Sequence, residues 1–249
     1  MKVMQEKLKE IKQFWDDFAR EYTDIQEESQ LTIQKDVLDF FNKQGILPQN
    51  NLLDLAGGSG KYVPYFISQL QNYVLVDLSS EMLKLASNKY PYKNLSLIES
   101  SQQSFLQQTK DHTFDIVFSA MNPALTLQTQ LKEMIRVARK YVCILRLVKE
   151  EDQLFSPIEE RLYGKAEHLA WMSTYKSWFE NAYQSKTFHY ATSETISTHF
   201  FYLYFKDELA NDELEKAIAS LFQDEKEVEN TTYYTFELLY CRLEKQKAE

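Results

Sequence analysis

The sequence predicts an α/β fold: a doubly wound, mostly parallel sheet with helices on both faces. Three observations carry this. Short apolar runs alternate with helical periodicity between residues 52 and 148. The runs are continuously apolar, as in strands buried on both faces. The third is a glycine loop: the 249-residue chain has only five glycines, and Gly57, Gly58 and Gly60 stand together directly after the first apolar run.

The elements follow in order. Leu8, Ile11, Trp15, Phe18, Ala19 and Tyr22 recur at helical spacing and predict an amphipathic helix over 5–22. A second, over 31–44, stops at Gly45, a suitable C-cap. Leu52–Leu55 is the first strand, and a helix near 62–70 follows its glycine loop. Tyr73–Val76 is the second strand, closed by Asp77, and Ser79 or Ser80 caps the next helix, which carries Met82, Leu83, Leu85 and Ala86. Leu95–Ile98 and Phe114–Ser119 are the third and fourth strands. A helix near 128–139 leads to the fifth, Tyr141–Val148. Residues 151–190 interrupt the alternation, read as mostly helical and are rich in aromatics. The chain is expected to return to β at Thr198–Phe205, form a helix near 207–222 and end in a strand over 232–242, with the acidic stretch 224–230 a solvated loop. One domain is expected over 1–249, in four parts: a helical cap (1–45), a ligand-binding core (46–150), a helical insertion (151–195) and closing elements (196–249). The insertion reads either as a substrate lid or as a dimer contact, so monomer and homodimer both stay open.

Composition narrows the function classes. The formal net charge is −9 and no Lys/Arg block occurs, which disfavours nucleic acid as a partner. The opening MKVMQEKLKE lacks the apolar stretch of a signal peptide, and no apolar run is long enough to span a membrane. A cytoplasmic protein is the expectation. The two cysteines, Cys143 and Cys241, lie in apolar runs and read as buried thiols. No Cys/His cluster has metal-ligand spacing, so no metal is expected.

The stretch LLDLAGGSGKY (52–62) has three readings. A phosphate loop ending at Gly60-Lys61 needs a glycine and a hydroxyl where Leu55 and Tyr62 stand. A nicotinamide dinucleotide loop from Gly58 and Gly60 meets Val63 where its third glycine belongs, and leaves Asp54 without a duty. S-adenosylmethionine (SAM) employs each polar residue. Asp54 accepts from the α-amino group, directly or through water. The glycines let the backbone pass close to the ligand. Asp77 accepts from both ribose hydroxyls.

LLDLAGGSGKY followed by VLVDLSSEML resembles the first two motifs of class I SAM-dependent methyltransferases, whose first motif is [DE]-x-G-x-G-x-G. Asp54 to Gly60 fits except at Ala56, which replaces the first glycine. LSLIESSQQSF and FDIVFSAMNPAL resemble the third- and fourth-strand motifs, and FWDDFAREYTD resembles the family's N-terminal helix. The resemblance covers 14–148 well and the remainder weakly. It implies a seven-stranded sheet whose last strand is antiparallel. It also implies a cofactor site of Tyr22, Asp54, Ala56, Gly57, Gly58, Gly60, Asp77, Leu78, Met82, Ser101, Gln102 and Ser119. Ser101 and Gln102 stand where the family's adenine-binding Asp is usual. Tyr22 is either a pocket lid or core, and Met82 either core or an adenine contact.

Methyl transfer from a sulfonium asks the protein mainly for alignment and desolvation. No catalytic residue stands out; Asn122, His168 and His189 are the candidates. Asn122-Pro123-Ala124-Leu125 lacks the second proline and the aromatic of enzymes that methylate base nitrogens. The implied activity is methyl transfer to a small-molecule acceptor by in-line displacement, leaving S-adenosylhomocysteine (SAH). The alternatives are an RNA or protein acceptor, or a SAM-binding protein without transferase activity.

Overall fold

A computed structural model describes residues 2–179 and 182–243. Its seven-stranded sheet comprises β1 (Gln49–Leu55), β2 (Leu70–Asp77), β3 (Leu95–Glu99), β4 (Phe114–Ala120), β5 (Ala138–Glu151), β6 (Gln184–Ser197) and β7 (Glu227–Arg242), in the order β3-β2-β1-β4-β5-β7-β6. The pairs β1–β2, β1–β4, β2–β3 and β4–β5 are all parallel. The order reverses at β1, so a crevice opens beyond the carboxyl ends of β1 and β4. The helices are α1 (Lys2–Glu28), α2 (Ile33–Lys43), α3 (Val63–Phe66), α4 (Ser80–Lys89), α5 (Gln102–Gln108), α6 (Gln128–Val137), α7 (Ser156–Tyr163), α8 (Trp171–Trp178), α9 (Thr198–Phe205) and α10 (Asn211–Phe222).

Contacts divide the chain into two compact units. One holds residues up to Arg146, Trp171–Phe188 and those from Phe236 onward; the other holds Leu147–Ala170 and His189–Thr235. In the first, Leu52, Leu53, Tyr73, Leu75, Ile116, Val117, Phe118, Val142 and Ile144 are buried in the sheet, as continuous apolar runs require. Phe41 of α2 stacks on Phe66 and meets Phe118 edge-on. Both cysteines are buried free thiols. Among the described residues no helix is long and apolar enough to cross a membrane.

α1 is anchored to the start of α4 by polar contacts. Asp16 Oδ1 accepts from Ser79 Oγ at 2.7 Å and from the Glu81 backbone N–H at 3.2 Å. Lys12 Nζ bridges Asp16 Oδ2 at 2.8 Å and Glu99 Oε1 at 3.1 Å. Ser79 is the N-cap of α4: its Oγ also accepts from Met82 N at 3.1 Å.

The second unit has its own core of Leu154, Ile196, Phe201, Phe205, Leu209, Leu214 and Phe222. Within it, His189 meets Thr235 at 3.1 Å and Ser193 meets Thr231 at 2.8 Å. Partners four apart on β6 face partners four apart in reverse on β7, as in an antiparallel pair.

Four expectations need correcting. Thr198–Phe205 is a helix, not a strand. Ser197 caps it by accepting from Phe200 N at 3.1 Å, and Phe201 and Phe205, one turn apart, are buried while Phe200 and Tyr204 are exposed. The helical reading of 151–190 fails after α8, because β6 begins at Gln184 and is mostly exposed and polar. The acidic stretch 224–230 is a loop only to residue 226, where β7 takes over. The helix near 62–70 is also shorter than expected: α3 gives way to a 3-10 turn, and β2 starts at Leu70.

Candidate functional site

The crevice is a cavity of about 870 Å³. Its polar floor comes from the ends of the strands and the loops that follow them. Asp54, the last residue but one of β1, lines the crevice and is only 1% exposed. One carboxylate oxygen, Oδ2, accepts from the Tyr73 hydroxyl of β2 at 2.7 Å. The other, Oδ1, is buried with no hydrogen-bond partner. Burial pushes the Asp54 carboxyl up to about 7; the Tyr73 hydrogen bond opposes this and the charge of Asp77 adds to it.

The loop after β1 is shaped around that carboxylate. A Cβ on Gly57 would lie 2.7 Å from Asp54 Oδ2 and 2.8 Å from Leu75 Cγ. Gly58 has a φ of +56° and lines the cavity. Its N–H donates to Asp77 Oδ2 at 2.8 Å, and Ser79 N donates to Asp77 Oδ1 at 2.9 Å. Burial raises the Asp77 carboxyl, against these hydrogen bonds. Each Asp77 oxygen retains a lone pair for a further donor. Ala56 also lies in the left-handed region, with a φ of +58°.

The expected site residues divide by placement. Tyr22, Asp54, Ala56, Gly57, Gly58, Asp77, Leu78, Met82, Ser101, Gln102 and Asn122 all line the cavity. Gly60 and Ser119 do not. Gly60, at a φ of +81°, has Val63 and Tyr90 against it and serves the turn. Ser119 faces the sheet, donating to Leu55 O at 3.3 Å. Asn122 and Gln102 line the floor with their side-chain bonds already committed. Asn122 Nδ2 donates to Gln102 Oε1 at 2.8 Å and Ser119 Oγ at 3.0 Å, and its Oδ1 accepts from Ala124 N at 2.8 Å. Gln102 Nε2 donates to Ala124 O at 2.8 Å. This network braces the loop after β4, with Arg146 donating to Asn122 O at 2.7 Å. A catalytic part for Asn122 is disfavoured by it. Ser101 caps α5 by accepting from Ser104 N at 3.2 Å, which leaves its O–H available as a donor. Met82 is both core, at 2% exposed, and lining.

His168 and His189 are exposed, and neither lines the cavity. His168 sits in a 3-10 turn, and His189 on β6 bonds Thr235. Among the described residues, none of the insertion 151–195, read as a lid or a dimer contact, lines the cavity.

Apart from Tyr22, the apolar wall was not assigned from sequence. It includes Leu8, Ile11, Phe14, Trp15, Tyr22 and Gln26 of α1, with Leu31, Ile33 and Phe236. Trp15 and Tyr22 meet edge-on at 5.4 Å. The helical spacing of Leu8, Ile11 and Trp15 was the available signal, and it reads equally as core. Lys61 and Tyr62 also line the cavity.

A glycine turn and two strand-end carboxylates at the switch point of a doubly wound sheet define a nucleoside-type cofactor site. Comparison with known proteins agrees. Residues 52–141 match a family model described as a methyltransferase domain. The chain is 29% identical over 118 residues to the demethylmenaquinone methyltransferase of Chlamydia caviae. That alignment takes in 46% of this chain and 51% of the relative, so the chain spans about half the length of the curated relative it matches. The fold is similar to that of magnesium protoporphyrin IX methyltransferase from Synechocystis PCC 6803 with bound SAH, at 11% identity and a TM-score of 0.53, over 92% of this chain and 97% of that one. It is also similar to a precorrin 8w decarboxylase from Methanobacterium thermoautotrophicum, at 11% identity and a TM-score of 0.51, over 84% and 90% of the two chains. Residues 52–141 thus resemble a methyltransferase domain, on a fold shared with solved methyltransferases.

Proposed function

We propose that the protein transfers a methyl group from SAM to an apolar small molecule. The observation that carries this reading is the buried, unpartnered Asp54 Oδ1 on the cavity floor, beside Asp77 and a turn with no room for a Cβ at Gly57. An acceptor with nothing to accept from suits an ammonium group. Asp77 suits a ribose diol. Leu78 and Met82 offer apolar surface to an adenine ring, and the Ser101 hydroxyl offers it a donor. These residues fit the cofactor.

When bound, SAM would supply an electrophilic methyl group on a sulfonium, which an acceptor's nucleophile could take in line, with the thioether SAH as leaving group. The chain's own part is to orient and to exclude water. Asp54 fixes one end of the ligand and Asp77 its middle. The α1 wall, with Ile11, Phe14 and Trp15, removes water from the acceptor side. No histidine is among the described residues lining the cavity, so the acceptor is one whose nucleophile needs no imidazole base. An apolar wall and a net charge of −9 favour a small apolar acceptor over RNA. Residues 46–150 then form the cofactor core and 1–45 the acceptor wall.

The test is calorimetric titration of the protein with SAM and SAH, beside Asp77→Ala and an NADH control. Micromolar binding of both, lost in Asp77→Ala, supports the reading. No binding of either to folded protein refutes it, and NADH binding would move the protein to the oxidoreductases. Cofactor turnover with cell extract separates an enzyme from a SAM-binding protein without activity.

A further inference from the structure

Lys61 has no part in the site as assigned so far. It follows the glycine turn, is half-buried and lines the cavity. Among the described lining residues it is the one Lys or Arg; the acidic ones are Glu10, Asp54 and Asp77. No hydrogen bond or ion pair joins it to any described residue, and burial alone acts on its ammonium, lowering its pKa. An unengaged lysine ordinarily extends its head into water. Kept partly desolvated in a cavity wall with no partner, the ammonium is disfavoured until an anion arrives.

We propose that Lys61 binds the α-carboxylate of the cofactor's amino-acid end, opposite Asp54, which binds its ammonium. This rests on the SAM reading above and adds a residue to it. The two side chains flank one loop, yet they are not paired with each other: the hydrogen bond to the Asp54 carboxylate comes from Tyr73, and its second oxygen has none. Opposite charges that share a cavity without meeting leave room for a zwitterion that satisfies both. The balance of the lining agrees: three carboxylates against one ammonium suit a ligand of net positive charge. SAM is such a ligand, with a sulfonium, an ammonium and a carboxylate. A carboxylate on the methyl acceptor would offer Lys61 the same chemistry, and the test separates the two sources.

Wild type, Lys61→Met and Lys61→Arg are titrated calorimetrically with SAH and with 5′-methylthioadenosine. The second ligand keeps the nucleoside and the thioether but lacks the amino acid. A charge-assisted hydrogen bond predicts that Lys61→Met weakens SAH roughly 10-fold or more. The same variant should hold 5′-methylthioadenosine within about two-fold of wild type, and Lys61→Arg should recover most of the SAH affinity. Retained methylthioadenosine binding also shows that the variant is folded. Unchanged SAH affinity in Lys61→Met overturns the proposal and hands Lys61 to an anionic acceptor. An equal loss for both ligands overturns it too, since the lysine would then only shape the cavity. Failure of wild type to bind either ligand sinks the cofactor reading itself, an outcome distinct from both.

Discussion

Asp54→Asn should make the ligand-free protein more stable at pH 8 than at pH 5, relative to wild type. The carboxyl is buried and pushed up to about 7, against an ordinary value of 3.8. A raised carboxylate works against the fold as pH rises. Below 3.8 both states are protonated and there is no penalty. Between 3.8 and about 7 the unfolded chain ionises while the folded one keeps its proton, and stability falls by about 1.4 kcal/mol per pH unit. Above 7 the loss levels off at about 4 kcal/mol. Asparagine removes this dependence. It leaves one amide donor to satisfy, at a cost of about 1–3 kcal/mol that does not change with pH. The constant cost cancels when two pH values are compared. The penalty in wild type is about 1–2 kcal/mol at pH 5 and about 4 at pH 8, so the difference between variant and wild type should widen by about 2–3 kcal/mol. In thermal unfolding that is a widening of roughly 5–10 °C in Tm. SAH binding should be lost in the same variant, because an amide has no charge to offer an ammonium. A difference in Tm that is the same at both pH values would show that Asp54 is ionised in the fold, and the argument would fail.

Three further outcomes follow from the same geometry. Ala56 carries a φ of +58°, so Ala56→Gly should stabilise by about 0.5–1 kcal/mol, read as a higher Tm; a lower Tm would mean that the left-handed turn is not kept. Gly57→Ala places a methyl 2.7 Å from Asp54 Oδ2, and should cost about 1–3 kcal/mol and weaken SAH; an unchanged melting curve contradicts the close packing there. Burial alone would raise the Asp16 carboxyl, but hydrogen bonds from Lys12, Ser79 and Glu81 outweigh it and hold the group at about 2. A lowered carboxylate stabilises above its unfolded value near 4, and that contribution is lost as pH falls through about 2. Asp16→Ala should therefore cost about 1–2 kcal/mol at pH 7 and almost nothing at pH 2; an equal cost at both would remove ionisation from the explanation.

What could be read from the sequence was what local spacing encodes. Asp54, the glycines and Asp77 announce themselves because a turn with positive φ and a strand-end carboxylate each demand particular residue types within a few positions. Tyr73 was hidden, since a tyrosine in an apolar run reads as core until its hydroxyl is found against Asp54. The polarity of Asn122 and Gln102 was visible in the sequence, and their mutual bonding, across 20 residues, was not. The α1 wall was seen as a helix, but amphipathic spacing does not say whether its apolar face meets protein or ligand. Thr198–Phe205 misled for a different reason: its six consecutive apolar or aromatic positions, 200–205, satisfy both periods, and the deciding contact is the Ser197 cap. β6 carried little pattern at all, because it is polar and largely exposed.

The apolar stripe on α1 bears on how the protein behaves in solution. Leu8, Ile11 and Phe14 are 40%, 41% and 58% exposed while they line the cavity. Without an acceptor, these side chains form an adhesive strip on an otherwise strongly charged surface. An acceptor seated against them covers the strip. Colloidal behaviour thus becomes a reporter of occupancy: the protein should scatter less light on storage when a well-matched acceptor is present than when it is alone. A collection of candidate acceptors can be ranked that way before any methyl group has moved.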